Sequence, residues 1–570
     1  MKEPIVVFKD VSYQYPQSTR FSLINVNLKI NKSEFFGLIG PTGAGKTTLC
    51  LGFTGIVPQF YGGRFFGSVS VLGLDTLENP ISTMAGHVGL VFEDPETQLI
   101  TASVENEIAF ALENLSVPRD TIAERISDSL SAVRLDGYEK KHPHELSGGE
   151  KQRLAIAAAM AIKPSVLVLD EPTSQLDSVG AEDVFMTAQR LNREFGMTIV
   201  MASHSAEEMA EYADRIGLMY QGEIVALGTP DEIYSKIEML EKYNLRPPEV
   251  ARIFGGLRKN GISVPKIPVR MQDAIPLLEN LSTCKNSNNI VLKAPPTNRK
   301  KPIISVEALS HVYPDGTEAL RDISLEISEG EYVVLVGQNG AGKTTLVKHC
   351  LNLLQPTDGF VKINGLNTAE LSISDLAQII GYVAQNPDNQ IFNSTVGDEI
   401  GFALKNLGYD PEEVEARVVK SLEEMGLINM RDRHPLSLPK GDRARVIICA
   451  ILAMKPEIII FDEPTTGQDY LGARKILEIS RDLHQKGKTI IVITHHLYLM
   501  PEYADRVVVM GKGTILLDDD IHTVFHASET LKKTFLTAPQ SVLISKEMQK
   551  LNDGFPSFIS PKEIIDFCKP

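Results

Sequence analysis

The chain has 570 residues, 57 of them lysine or arginine and 73 aspartate or glutamate, for a formal net charge of −16. At 43% hydrophobic and 23% charged it is multi-domain globular material, too apolar for a disordered protein. The acidic balance argues against a protein that grips nucleic acid over a broad surface, since that binding is mostly phosphate neutralisation, and leaves room only for a local basic groove.

The amino end, MKEPIVVFKDVSY, has no apolar run of signal-peptide length behind a basic head. The longest apolar run, Val446 to Met454, falls well short of the roughly 20 residues a membrane helix needs. Any action at a membrane is therefore expected from the water side. Five cysteines (Cys50, Cys284, Cys350, Cys449, Cys568) form no CxxC pair, which suits a reducing compartment better than a disulfide framework or a zinc site.

The first strong element is the apolar run Phe35 to Ile39, read as a buried strand. It ends at Gly40-Pro41-Thr42-Gly43-Ala44-Gly45-Lys46-Thr47, with Thr48-Leu49 following. This is the P-loop pattern: glycines let backbone N–H groups converge on phosphate oxygens at the start of a helix. Lys46 is expected to reach the β and γ phosphates, and Thr47 to hold Mg²⁺.

Next, Leu146-Ser147-Gly148-Gly149-Glu150 stands 24 residues before Asp170. Serine and glycines opening a helix make a second anion site, and one domain needs only one phosphate loop. The economical reading is that it serves a partner domain's nucleotide; a simple helix cap accounts for Ser147 but not for the paired glycines. Val166 to Leu169 reads as a buried strand tipped by Asp170, whose carboxylate can hold the magnesium shell. Glu171 is placed to orient or deprotonate the attacking water. The run TIVMASH ends a further strand at His204, a candidate γ-phosphate contact or a bland surface or core histidine.

After EYADR at 211–215 the first half closes with an appendage of helical character around Leu245-Arg-Pro-Pro-Glu249. A polar, proline-containing basic stretch from Cys284 to Pro302 reads as an exposed linker.

The same elements then recur. Tyr332 to Val336 leads into Gly337-Gln338-Asn339-Gly340-Ala341-Gly342-Lys343-Thr344, followed by Thr345. Ile458 to Phe461 ends at Asp462 and Glu463. TIIVITH ends at His495, with His496 a competitor for its role. Lys343 lies 297 residues after Lys46, and Asp462 lies 292 after Asp170, so the first half carries about five extra residues near Tyr61-Gly62-Gly63-Arg64. Leu536-Thr-Ala-Pro-Gln540 repeats the appendage. So steady an offset marks a duplicated domain. Strands feeding glycine loops and helices indicate a parallel α/β sheet with ligands at the carboxyl ends of its strands.

Together these motifs resemble those of a tandem ATP-binding cassette (ABC) protein. The resemblance implies two P-loop nucleotide-binding domains, each a mixed sheet core plus a helical subdomain and a small C-terminal appendage. The corresponding boundaries are 1–240 and 241–284, a linker at 285–302, then 303–530 and 531–570. It implies ATP and Mg²⁺ as ligands and a head-to-tail sandwich, each ATP lying between one half's P-loop and the other's signature. It gives Tyr15 and Tyr313 a stacking role on adenine, His204 and His495 a switch role, and Asp177 and Asp469 their place in the loop after the acid strand. Glu93 and Gln385 take the glutamine-loop position beside the metal.

The halves differ where this resemblance is read residue by residue. The second signature has Pro439, Lys440 and Gly441 where the first has Ser147, Gly148 and Gly149, so it lacks the serine hydroxyl and a backbone N–H. Glu93 replaces the glutamine seen at Gln385. Under head-to-tail pairing both departures fall on the first half's P-loop site, which predicts one fast site and one slow, mainly structural site.

The stretches at 89–98 and 381–390, each followed by Val-x-x-Glu-Ile-x-Phe, are similar to the ATPases of energy-coupling-factor (cobalt- and vitamin-type) importers. That similarity implies a transmembrane coupling subunit and a substrate-binding membrane subunit as partners, and a peripheral position on the cytoplasmic face of the cell membrane. A soluble translation-type cassette protein is the alternative; its usual long charged linker or cysteine clusters are absent. A chromosome-type ATPase needs a long coiled-coil insertion, for which the roughly 100 residues from Lys46 to Leu146 leave no room.

Overall fold

The computed structural model describes residues 3–281 and 301–569. The expected linker and Cys284 fall almost wholly outside these residues. The chain divides into two compact units, Met1–Asn280 and Leu281–Pro570.

In the first unit the strands are β1 (Pro4–Gln14), β2 (Leu23–Asn31), β3 (Phe35–Ile39), β4 (Arg64–Val71), β5 (Leu74–Asp75), β6 (Val88–Val91), β7 (Val166–Asp170), β8 (Thr198–Ala202), β9 (Arg215–Tyr220) and β10 (Glu223–Gly228). They form an antiparallel sheet ordered β2-β1-β4-β5 and a six-stranded sheet ordered β10-β9-β3-β8-β7-β6. The latter is parallel except at its β9–β10 edge. Strands β3, β7 and β8 are buried at every position, which explains their unbroken apolar sequences: helices or the second sheet cover both faces.

The second unit repeats this plan with β11 (Pro302–Val312), β12 (Glu318–Ser328), β13 (Tyr332–Val336), β14 (Asp358–Ile363), β15 (Leu366–Asn367), β16 (Ile380–Val383), β17 (Ile458–Asp462), β18 (Thr489–Ile493), β19 (Arg506–Gly511) and β20 (Thr514–Asp520). The sheet orders are β12-β11-β14-β15 and β16-β17-β18-β13-β19-β20.

Between β6 and β7 the helices Val104–Asn114, Arg119–Ala132 and Gly148–Ala161 pack on one another through Ile108, Leu112, Leu130 and Leu154. Their counterparts Val396–Asn406, Pro411–Glu424 and Lys440–Ala453 bury Ile400, Val418, Leu422 and Val446. The apolar run from Val446 thus belongs to a core helix buried on two sides, with Val446, Cys449 and Ala453 among the helices and Ile447, Ile448 and Ile451 in the core of β13 and β17. Among the described residues no helix is long and apolar enough to cross a membrane.

Each unit ends in short helices. In the first, Leu245, Ala251 and Val269 join the same core as Phe35 and Leu169, and Arg246 clamps Glu207 with both guanidinium arms. In the second, Leu536, Val542 and Ile559 share the core of β13 and β17. The four described cysteines are buried.

Candidate functional site

The P-loop of each unit joins the end of its central strand to a helix, Lys46–Gly52 or Lys343–Cys350. Backbone crowding dictates glycine at two points of each loop. A Cβ on Gly40 would meet Met219 O at 2.4 Å, and one on Gly337 would meet Met510 O at 2.3 Å. Gly45 and Gly342 cap the helices at φ 104° and 95°, a left-handed conformation that other residues pay strain to adopt.

The buried lysines fold back over these loops. Lys46 Nζ donates to Gly40 O at 2.8 Å, and Lys343 Nζ donates to Gly337 O at 2.7 Å and Gln338 O at 3.0 Å. Each ammonium thus sits in a ring of carbonyls at the loop's mouth, able to turn to phosphate oxygens. Tyr15 and Tyr313 are tied to the same helices through Thr48 and Thr345, hydroxyl to hydroxyl at 3.3 and 3.2 Å.

Asp170 and Asp462 end β7 and β17 beside these helices. Thr344 Oγ1 donates to Asp462 Oδ2 at 3.0 Å, and Thr47 makes the corresponding bond to Asp170. Burial pushes the Asp170 carboxyl up to about 6, against the Thr47 bond, and Glu171 beside it adds to the rise. Burial likewise raises Asp462, against its bonds from Tyr382 and Thr344. Asp170 Oδ1 is buried without a hydrogen-bond partner among the described residues. A desolvated carboxylate next to a threonine hydroxyl fits a divalent cation that keeps water and phosphate as its other ligands. Such an ion, held by Thr47 and Asp170 or by Thr344 and Asp462, would neutralise charge on bridging phosphate oxygens.

Glu171 and Glu463 follow at φ 49° and 48°. Two non-glycine residues in the left-handed region at matching positions are a cost the fold sustains, with each N–H bonded across the sheet to Ala202 O or Ile493 O at 3.0 Å. The turn throws each carboxylate toward its histidine. His204 Nε2 lies 3.1 Å from Glu171 Oε1, which Lys46 Nζ also approaches at 3.2 Å. Burial alone raises the Glu171 carboxyl, but His204 and Lys46 outweigh it and hold the group below its usual range.

In the second unit His495 Nδ1 stands 2.9 Å from Glu463 Oε2, out of hydrogen-bond alignment. Its neighbour His496 turns instead to Thr465 Oγ1 at 2.9 Å. The structure therefore brings His495, and not His496, to the glutamate.

Ser147 caps the helix Gly148–Ala161 in a reciprocal box: its Oγ accepts from Glu150 N, and Glu150 accepts from Ser147 N and Oγ, both at 2.8 Å. Gly148 and Gly149 are not forced by packing, since a Cβ on either would make only ordinary 3.5 Å contacts within the unit. At the matching helix, Pro439 caps without any side-chain bond, and the side chain of Lys440 lies outside the described residues. A Cβ on Gly441 would come within 3.3 Å of Gln468.

Glu93 is half-buried and accepts from Ser174 Oγ at 3.4 Å, whereas Gln385 is exposed. Asp177 and Asp469 cap the helices that follow the acid strands, accepting from Gly180 N and Gly472 N. Sequence reasoning missed two groups here. Gln98 and Gln390 each staple the end of their strand, accepting from Phe92 N or Ala384 N and donating to Leu90 O or Tyr382 O. Tyr382 OH donates to Asp462 Oδ2 at 2.9 Å, a bond whose only sequence signal is a tyrosine where the first half has Leu90.

The ABC transporter family model matches residues 23–174 and 320–466. A Methanosarcina mazei protein named among ABC transporter ATP-binding proteins is 38% identical, covering 100% of this chain and 98% of its own. One from Caldanaerobacter subterraneus subsp. tengcongensis is also 38% identical, covering 99% of each. The solved structure of CbiO1 from Clostridium perfringens, described as part of the ABC transporter complex CbiONQ, is 33% identical; it covers 42% of this chain and 97% of that one, at a TM-score of 0.38. Two family matches in one chain, each spanning a P-loop and its acid strand, and relatives alike from end to end make this chain a member of the ABC transporter ATP-binding proteins, with two ATPase domains in tandem that bind ATP with Mg²⁺.

Proposed function

We propose that this chain is the energy-coupling ATPase of an importer of the energy-coupling-factor type, driving separate membrane subunits that take up a small nutrient. The observation that carries this reading is a pair of exposed apolar side chains at the same place in both halves, just after each glutamine loop. Ile100 is 68% and Phe110 46% exposed; Phe392 is 64% and Phe402 38% exposed. Phe392 and Phe402 meet edge to face at 4.5 Å. In the first half a groove of about 250 Å³ opens beside Ile100, lined also by His142, His144, Glu96 and Lys151. Apolar residues rimmed by polar ones suit a short helix offered by a membrane subunit. In this reading the chain works as a peripheral protein on the cytoplasmic face of the membrane.

On the same proposal the two halves pair head to tail during turnover, as the family resemblance implies. Supporting it, Gly148 and Gly149 are bare although their own unit does not require it, as a segment that must admit a nucleotide phosphate would be. The site of Lys343, Asp462, Glu463, Gln385 and His495 with intact Ser147-Gly148-Gly149 turns over fast. The site of Lys46, Asp170, Glu171, Glu93 and His204, facing Pro439-Lys440-Gly441, is slow and mainly holds nucleotide.

The test is a pull-down of the chain from detergent-solubilised membranes, with a paired cysteine variant, Ser147→Cys and Asn339→Cys, crosslinked with and without ATP analogue; Asn339 is exposed on the same P-loop and leaves Lys343 in place. Copurifying small apolar membrane proteins and a 147–339 crosslink are expected. Cosedimentation with ribosomes in place of membrane proteins overturns the importer reading, and failure of the crosslink overturns the head-to-tail pairing.

A further inference from the structure

The two halves offer a controlled comparison at the magnesium carboxylate. Strand β16 runs parallel to β17 with Tyr382 opposite Ile460, and β6 runs parallel to β7 with Leu90 opposite Val168. The backbone scaffold is the same in both: a glutamine, Gln390 or Gln98, bonds the strand end on either side of one residue. Only the side chain differs.

Tyr382 OH donates to Asp462 Oδ2 at 2.9 Å, and Thr344 Oγ1 donates to that same oxygen at 3.0 Å. Leu90 has no hydroxyl to offer Asp170. We propose that Tyr382 is a positioning residue that fixes the Asp462 carboxylate for the metal in the second half, a device the first half lacks. The inference rests on reading Asp462 as the metal carboxylate.

The chemistry follows from what the threonine must do. When its hydroxyl oxygen faces a cation through a lone pair, Thr344 keeps its proton on Asp462 Oδ2, but this single bond leaves the carboxylate free to pivot about that oxygen. Tyr382 reaches Asp462 from the neighbouring strand and continues to hold one oxygen, leaving the other to face the ion or its water. A group that orients a metal carboxylate from behind is worth roughly 10- to 100-fold in metal affinity. This adds a third difference between the halves, besides the signature and Glu93, and it favours the same half as the other two.

The experiment measures Mn²⁺ affinity by electron paramagnetic resonance on the full chain loaded with ADP, in a Lys46→Ala background that confines nucleotide to the second half. Tyr382→Phe is expected to weaken Mn²⁺ binding about 10-fold or more while metal-free ADP affinity stays at the parent value. Asp462→Asn is expected to lose Mn²⁺ affinity at least as far. Unchanged Mn²⁺ affinity in Tyr382→Phe alongside a loss in Asp462→Asn overturns the role of Tyr382. An equal fall in metal-free ADP binding also overturns it, as that is the mark of packing alone. Unchanged affinity in Asp462→Asn removes the assignment of Asp462 itself.

Discussion

His495 Nδ1 stands 2.9 Å from Glu463 Oε2, whereas the matching contact in the first half, His204 Nε2 to Glu171 Oε1 at 3.1 Å, is shared with Lys46 Nζ at 3.2 Å. A carboxylate pinned between an ammonium and an imidazole is a weaker base, and Glu171 is indeed held below its usual range despite burial. Under the proposed pairing, which gives the Lys343 site the intact Ser147-Gly148-Gly149, Glu463→Gln should lower steady ATP turnover about 100-fold or more, while Glu171→Gln should leave most of it. Phosphate release under saturating ATP checks this, and equal loss in the two variants ends the claim of unequal sites.

The first P-loop site, proposed to be slow, should be repairable. Pro439 supplies neither hydroxyl nor N–H where Ser147 supplies both, and hydrogen bonds to charged groups are worth about 1.5–3 kcal/mol each. In a Glu463→Gln background, where only the first P-loop site can turn over, the combination Pro439→Ser, Lys440→Gly and Glu93→Gln should raise hydrolysis about tenfold or more. Single-turnover measurement reads the gain directly. No gain means that the altered signature does not face Lys46.

Asp170 gives the nucleotide-free chain a pH signature. Its carboxyl rises from 3.8 to about 6 on folding, chiefly through burial, so the folded state holds the extra proton between those values. Stability from this group is full below its unfolded value and is lost as pH rises through about 6. At about 1.4 kcal/mol per unit the penalty at neutral pH is roughly 2–3 kcal/mol. Asp170→Asn, which keeps an acceptor for Thr47, should raise the thermal midpoint at pH 7.5 and do so far less at pH 4.5. A gain of equal size at both pH values refutes the account.

Much of this site was readable because its chemistry lies in contiguous motifs. The P-loops, Asp170-Glu171, Asp462-Glu463 and Ser147-Gly148-Gly149 each announce themselves within a few residues. What stayed hidden depends on strand neighbours and backbone turns. Tyr382 meets Asp462 only because β16 lies beside β17, 80 residues on. Nothing in the sequence marks Glu171 and Glu463 as left-handed, since no glycine stands there. The choice between His495 and His496 is made by a turn in which His496 N bonds Thr494 Oγ1 and its ring swings to Thr465. The C-terminal helices read as appendages because Leu245–Glu249 and Leu536–Gln540 repeat beyond the main motifs; that Leu245 and Val269 lie in the main core is set by tertiary packing, which a repeat does not reveal.

If the exposed aromatic pair is a docking surface, it should be separable from catalysis. The rings of Phe392 and Phe402 pack on each other at the surface, and neither residue belongs to the P-loop or to the strand that carries Asp462. Phe392→Ser with Phe402→Ser should leave ATPase activity of the isolated chain within about twofold while sharply reducing recovery of membrane partners in a pull-down. Intact recovery removes this face from the interface.

The signature serine carries two duties that a pair of variants can separate. Its hydroxyl accepts from Glu150 N and donates to Glu150 Oε2, and Glu150 is in turn held by Tyr138 OH at 2.9 Å. Burial raises the Glu150 carboxyl, but the Ser147 and Tyr138 bonds outweigh it, so the box holds a charged carboxylate. Glu150→Ala removes that half of the cap and should cost about 1 kcal/mol of stability, leaving the hydroxyl free to face a phosphate. Ser147→Ala removes cap and phosphate donor together. The two variants should melt at similar temperatures, yet only Ser147→Ala should lose about 10-fold or more of the turnover that depends on Glu463. Equal turnover loss in both would make the motif a helix cap and nothing more, with no phosphate from the other half upon it.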